Sequence, residues 1–227
     1  MPSIGLRQHL RTLTPTLILL YAPVLALLIV VVALRIGYAV PMANLTRDPA
    51  QVLGVSPFAG AVSNIGILLW CASTAICLFA ALLARRHGAR RTPIFLLAAG
   101  TMTLVLLLDD LFLLHDIVLP KGLGVSEEAV YAGYAAMIGA FITLFHRDIR
   151  ASDYPLLGLA LAFFAASLGF DMLQQWVTPP GAFLLEDGSK LMGIVSWAGY
   201  LIRTASARLK QAMPVDTRVP ESVTAGT

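Results

Sequence analysis

Apolar residues run along this chain in long blocks, separated by short polar or Pro/Gly-marked breaks. Six blocks reach the roughly 20 residues that a bilayer-crossing helix needs. They cover positions 13–36, 59–84, 93–119, 126–145, 154–177 and 183–205. The breakers agree with this division. Pro120, Gly122 and Gly124 close the third segment. Ser126 suits the N-cap of the fourth, with Glu127 and Glu128 in its first turn. Ser152 or Asp153, followed by Pro155, suits the start of the fifth. Pro179, Pro180 and Gly181 separate the last two. The pattern predicts an all-α, polytopic integral membrane protein, a bundle of six transmembrane helices. One domain is expected over 1–210, followed at 211–227 by a polar, disordered cytoplasmic tail.

Charge gives the bundle a direction. Twelve of the 16 Lys and Arg residues fall on one side of the predicted membrane. They are Arg7 and Arg11 before the first segment, Arg85, Arg86, Arg90 and Arg91 after the second, Arg147 and Arg150 after the fourth, and Arg203, Arg208, Lys210 and Arg218 after the sixth. Arg35, Arg47, Lys121 and the partly embedded Lys190 take the other side. The bias alternates at every loop and predicts cytoplasmic N and C termini. The Arg- and Ala-rich composition points to a bacterial-type inner membrane. The first segment has an alternative as a signal peptide cleaved near Gly37-Tyr38-Ala39, but its apolar core is long for one.

Composition supports the membrane class. The chain of 227 residues is 58% hydrophobic and 13% charged, about half the usual charged share of a soluble domain. Mean hydropathy is +0.79. The net charge of +3 reads as a topology signal, and no nucleic-acid partner is expected. Cys71 and Cys77 are too far apart on one helix to bridge and read as small core residues. Trp70, Trp176 and Trp197 read as packing or interface residues, and His9, His87 and His146 as solvated. Small residues recur at helical spacing in segments four (Ala132, Ala136, Ala140) and five (Gly158, Ala162, Ala166), which suggests close helix packing.

The candidate chemistry lies where charge is least expected. Asp109-Asp110 falls inside the third apolar block, with His115-Asp116 two turns on. Charge at membrane depth costs several kcal/mol and marks a functional site by default. On a continuous helix Asp109 and Asp116 would point the same way, with His115 and Asp110 about 100° to either side. Asp171, flanked by Gln174 and Gln175, and the Glu186, Asp187, Lys190 group would lie at a similar outer level, as would Ser63 and Asn64. Glu186 and Lys190 have the spacing of an intrahelical ion pair. Eight of the 13 acidic residues thus sit in or beside the outer half of the predicted bundle. An outward-opening, acid-lined pocket between segments three, five and six is expected, rimmed by the first turn of segment four.

Clustered carboxylates with one imidazole suit three kinds of chemistry. A divalent cation (Mg, Mn, Ca or Zn) held by Asp109, His115, Asp116, Asp171 and Glu186 would act on a lipid or small amphiphile. Asp109, Asp110 and His115 would be its catalytic groups, with Lys190 and Asp187 balancing charge or holding a head group. The first alternative is a proton- or cation-coupled transporter or channel subunit. The second is a non-catalytic scaffold or assembly factor whose polar network fixes helix register. The sequence has no HExxH, P-loop or nucleophile-elbow motif, and its pattern names no protein partner.

Overall fold

The structure is a computed structural model that describes residues 6–174 and 181–212, with side chains from residue 13 onward. Gln175, Trp176, Val177, Pro179, Pro180, Arg218 and the tail from residue 213 lie outside the described residues, as do the side chains of Arg7, His9 and Arg11. Among the described residues every regular element is helical and there is no strand.

The chain forms two compact units. The first ends at Ala59 and holds α1 (Leu6–Tyr38), α2 (Met42–Thr46) and α3 (Pro49–Leu53). Apolar side chains occupy all sides of α1, despite Pro15 and Pro23 within it. Asp48 caps α3 by accepting from the Ala50 backbone N–H at 2.8 Å, with Pro49 in the first helical position.

The second unit begins at Gly60. It contains α4 (Ala61–Arg86), α5 (Arg91–Phe112), a π-helical segment (Leu114–Gly122), α6 (Glu127–Leu144), α7 (His146–Arg150), α8 (Tyr154–Gln174) and α9 (Ala182–Ala212). α4 packs on both α5 and α9, and α9 packs on α8, so these four form a row in the order α5, α4, α9, α8. α6 rests mainly on the π-helical segment. Among the described residues the six predicted segments coincide largely with helices, and α9 continues to Ala212, two residues beyond the expected domain end.

Among the described residues four helices are long and apolar enough to cross a membrane: residues Leu13–Tyr38 of α1, and α4, α5 and α8. α6 and α9 carry Glu127, Glu128, Glu186, Asp187, Lys190 and Arg203 within their length, which lowers their apolar character.

The predicted helix 93–119 is broken. α5 ends at Phe112, and Leu113 adopts the left-handed conformation (φ 52°). The chain then winds as a π-helix through Pro120. Proline has no N–H to give residue 116, and its ring crowds that carbonyl, so the α-helical ladder cannot run through it unstrained. Ser126 caps α6 as expected, its hydroxyl accepting from the Ala129 N–H at 3.3 Å.

Aromatic rings fill the centre. Trp70 stacks on Phe164 at 5.8 Å and meets Trp197 edge-on at 6.0 Å. The Trp197 indole N–H donates to the Thr103 hydroxyl at 3.1 Å, which in turn donates to the Ala99 carbonyl at 2.8 Å. Cys77 is fully buried, but Cys71 is exposed, so only one cysteine is a core residue. His87 and His146 are exposed.

The basic end has its own clamp. The buried Asp148 carboxylate accepts from Arg91 at 2.9 Å and forms an ion pair with Arg208 at 3.3 Å, while Arg208 donates to the Asp148 backbone carbonyl at 3.0 Å and its guanidinium lies 5.6 Å from the Phe95 ring centre. The pairs join α5, α7 and α9 at the end opposite the embedded carboxylates.

The small-residue stripes do not pack as expected. Ala132, Ala136 and Ala140 of α6 and Gly158, Ala162 and Ala166 of α8 are all exposed. Close approach occurs instead at Gly193 of α9, where an added Cβ would lie 2.5 Å from the Phe164 ring. Gly193→Ala should therefore lower stability by about 1–3 kcal/mol through overpacking. Thermal unfolding in detergent measures this, and an unchanged midpoint would contradict the packing.

Candidate functional site

The break at Leu113 builds the centre of the site. Its N–H still reaches the Asp109 carbonyl, closing α5. Two residues later the chain has swung back over the end of the helix. The His115 backbone N–H donates to Asp109 Oδ1 at 2.9 Å, and His115 Nδ1 lies 2.7 Å from Asp109 Oδ2. A carboxylate as the partner of Nδ1 places the ring proton there and leaves Nε2 directed elsewhere. Nε2 is 3.4 Å from Asp116 Oδ1, a carboxylate about half exposed. Asp109, His115 and Asp116 therefore form a short line from the buried helix end toward the surroundings.

This differs from the continuous-helix geometry. Asp109 and Asp110 occupy the last turn of α5, not the middle of a span. His115 does not point about 100° away from Asp109 but pairs with it. A helix C-terminus disfavours carboxylates, so its dipole does not explain these two. The donors gathered around them do.

Asp110 is only 6% exposed, and its Oδ1 lies 2.5 Å from Lys190 Nζ. The expected intrahelical partner of Lys190, Glu186, instead accepts from Gln174 Nε2 of α8 at 2.6 Å. Lys190 is thus a tie between α9 and α5. Asp110 Oδ2 is buried without a hydrogen-bond partner. Beside it lies a cavity of about 30 Å³ lined by Ser63, Gly66, Asp187 and Lys190. Asn64 is exposed.

A larger cavity of about 510 Å³ opens beside the Asp109–His115 pair. Its polar end carries Asp109, Asp110, His115, Asp171, Glu186 and Lys190. Its length is walled by α6 through Tyr134, Ile138 and Ile142 and by α8 through Leu161, Phe164 and Leu168. Trp70 contributes from α4. Tyr131 packs its ring 5.4 Å from that of His115 and donates its hydroxyl to Glu127 at 2.9 Å. Tyr134 turns its hydroxyl toward Asp109. Ala135, Gly139 and Ala165 line the cavity yet remain exposed, so it opens sideways between α6 and α8.

The structure therefore brings Asp109, Asp110, His115, Asp171, Glu186 and Lys190 to one cavity. Asp116 joins through His115, and Asp187 lines the smaller void. Among the described residues no group of three His, Cys, Asp or Glu side chains is placed to hold a metal ion. Both Asp109 oxygens are engaged by His115, and Lys190 occupies Asp110, so these donors fit hydrogen bonding better than cation coordination. Tyr131 and Tyr134 were missed from sequence. The available signal was a pair of phenols within two turns of Glu127, in an otherwise apolar helix.

Residues 21–204 match the model of a family described as a domain of unknown function, DUF8692. No curated protein and no solved structure matches the chain.

The Asp110–Lys190 tie has a measurable consequence. Asp110→Asn and Lys190→Met should each destabilise the protein by about 1–2 kcal/mol, reduced from a fully buried pair because water reaches the partly exposed Lys190 head. The double variant should recover part of that loss. Strictly additive unfolding free energies would remove the pair from the fold.

Proposed function

The chain belongs to the DUF8692 family, and we propose that it is a six-span membrane protein whose lateral cavity binds a lipid or small amphiphile for acid–base chemistry. The cavity carries this proposal. About 510 Å³ lies within the usual range for small-molecule sites. Its α6 wall runs from Tyr131 to Ile142, about 16 Å at the helical rise, so it is long and narrow. One end is carboxylate, imidazole and amine, and the rest is aliphatic or aromatic. A molecule with one polar head and one apolar tail matches that division.

Within the site, Asp109 orients His115 and stabilises its protonated form, while Nε2 exchanges a proton with the bound head group. Lys190 balances Asp110 and offers its exposed side to an anionic oxygen formed during reaction. α6 and α9 complete the six spans, their charged residues turned to the cavity or the helix ends. The Arg-rich end then lies in the cytoplasm and the cavity opens in the outer half of a bacterial-type inner membrane.

A proton or cation carrier would need polar groups continuing from the cavity to the basic end. Toward that end the cavity is lined instead by Ile138, Ile142, Leu161 and Phe164, which favours binding and chemistry over passage.

The protein purified into phosphatidylcholine nanodiscs should retain a stoichiometric amphiphile by mass spectrometry, and Ala165→Trp should expel it. Empty wild-type cavities would contradict the proposal. Against any amphiphile the protein converts, His115→Ala should lower turnover by about 100-fold or more while leaving binding near normal. Single cysteines at Gly124 should label from outside and at Gly88 from inside, in a background lacking Cys71 and Cys77. Labelling of both from one side would overturn the orientation.

A further inference from the structure

We propose that the small void beside Asp110 binds one monovalent inorganic cation of the size of sodium. One oxygen carries the proposal. Asp110 is only 6% exposed, and its Oδ2 is buried with no hydrogen-bond partner. Lys190 answers Oδ1 alone. Oδ2 lies on the Gly66 side, where a Cβ added to that glycine would stand 3.9 Å from it. Gly66, Asp110 and Lys190 all line the void, with the exposed Ser63 and Asp187 at its mouth. Glycine at position 66 leaves the approach to Oδ2 clear. A half-answered carboxylate in a water-poor place is costly until something completes it.

Size, charge and donor type select the occupant. About 30 Å³ admits a single water-sized particle and no organic ion. Water itself is held off, since Oδ2 presents almost no surface to it. A bare ion comes closer. Sodium, near calcium in size, meets oxygen at about 2.4 Å, against about 2.8 Å for a water donor. Asp110 and Asp187 against Lys190 leave one net negative charge around the void. One monovalent ion balances that charge, and a divalent ion exceeds it. Lys190 and the ion then share the Asp110 carboxylate, one on each oxygen. Two carboxylates and the Ser63 hydroxyl offer oxygen donors only, which suits a hard cation. An ion held there ties Ser63 of α4, Asp110 of α5 and Asp187 of α9 together. Ser63, Gly66 and Asp187 do not line the larger cavity, so the ion site stands whether or not an amphiphile occupies that cavity.

The test uses the intact protein in detergent, titrated with sodium chloride while N-methylglucamine chloride holds the ionic strength constant. The unfolding midpoint should rise saturably with sodium, by about 3–6 °C at ten times the dissociation constant. The sodium NMR line should broaden on adding protein. Magnesium at equal ionic strength should stabilise less than sodium. Asp187→Asn, at an exposed position that folding tolerates, should raise the sodium concentration needed by about tenfold. Asp187→Glu, which keeps the charge, should restore most of the affinity. One midpoint in sodium and N-methylglucamine, with an unbroadened sodium line, would overturn the proposal. A sodium effect that survives Asp187→Asn unchanged would place the ion elsewhere and overturn it equally, as would a stronger response to magnesium.

Discussion

The Asp109 carboxylate is the constraint on which the site depends. One oxygen takes the His115 backbone N–H and the other takes the His115 ring. A continuous α-helix cannot bring residue 115 to residue 109 in this way, because the i, i+6 vectors diverge. The chain satisfies the carboxylate by leaving the helix at Leu113, in a left-handed conformation that costs a non-glycine residue roughly 1–2 kcal/mol. Two charge-assisted hydrogen bonds in a half-buried site offset that cost. Side-chain competition for backbone donors is the general mechanism, and Pro120 prevents an ordinary helix from resuming downstream.

That turn also accounts for the cavity. The π-helical segment is the main support of α6, which stands off from α8 and leaves a lateral gap instead of a packed seam. Lys190 fixes the opposite margin by tying α9 to Asp110, the neighbour of Asp109. The adjacent carboxylates thus act in different directions, one folding its own chain back and the other holding a distant helix. In a low-dielectric interior both sets of hydrogen bonds gain strength, and any group left without one becomes costly. Asp171 and Asp110 Oδ2 matter for that reason.

The helices were legible because long apolar blocks and polar breaks report them directly. The embedded acids were legible because charge inside an apolar run has few structural excuses. The break at Leu113 was not, since leucine gives no local signal for a left-handed residue and apolar residues continue past it. Sequence proximity suggested Glu186 for Lys190, whereas the actual partner lies 80 residues away. Only the packing of α9 along α4 and toward α5 makes that pair. The alanine stripes misled for a related reason: small residues permit close approach without requiring it, and here they are exposed.

Polarity is divided along the second unit. Arg91 and Arg208 lock Asp148 at one end, where the arginines compensate the buried carboxylate fully. At the other end the acids outnumber the fixed cations around an opening. The same chemistry therefore has opposite consequences at the two ends. Where charges balance in a packed joint, the interaction holds helices together. Where they do not balance and a cavity adjoins them, the remaining field acts on whatever enters. Ile138, Ile142, Leu161 and Phe164 line the cavity toward the basic end, so the charged groups stay at one end of it. An apolar lining offers an entering charge no partner beyond them, so the field acts at that polar end and fades along the rest of the cavity.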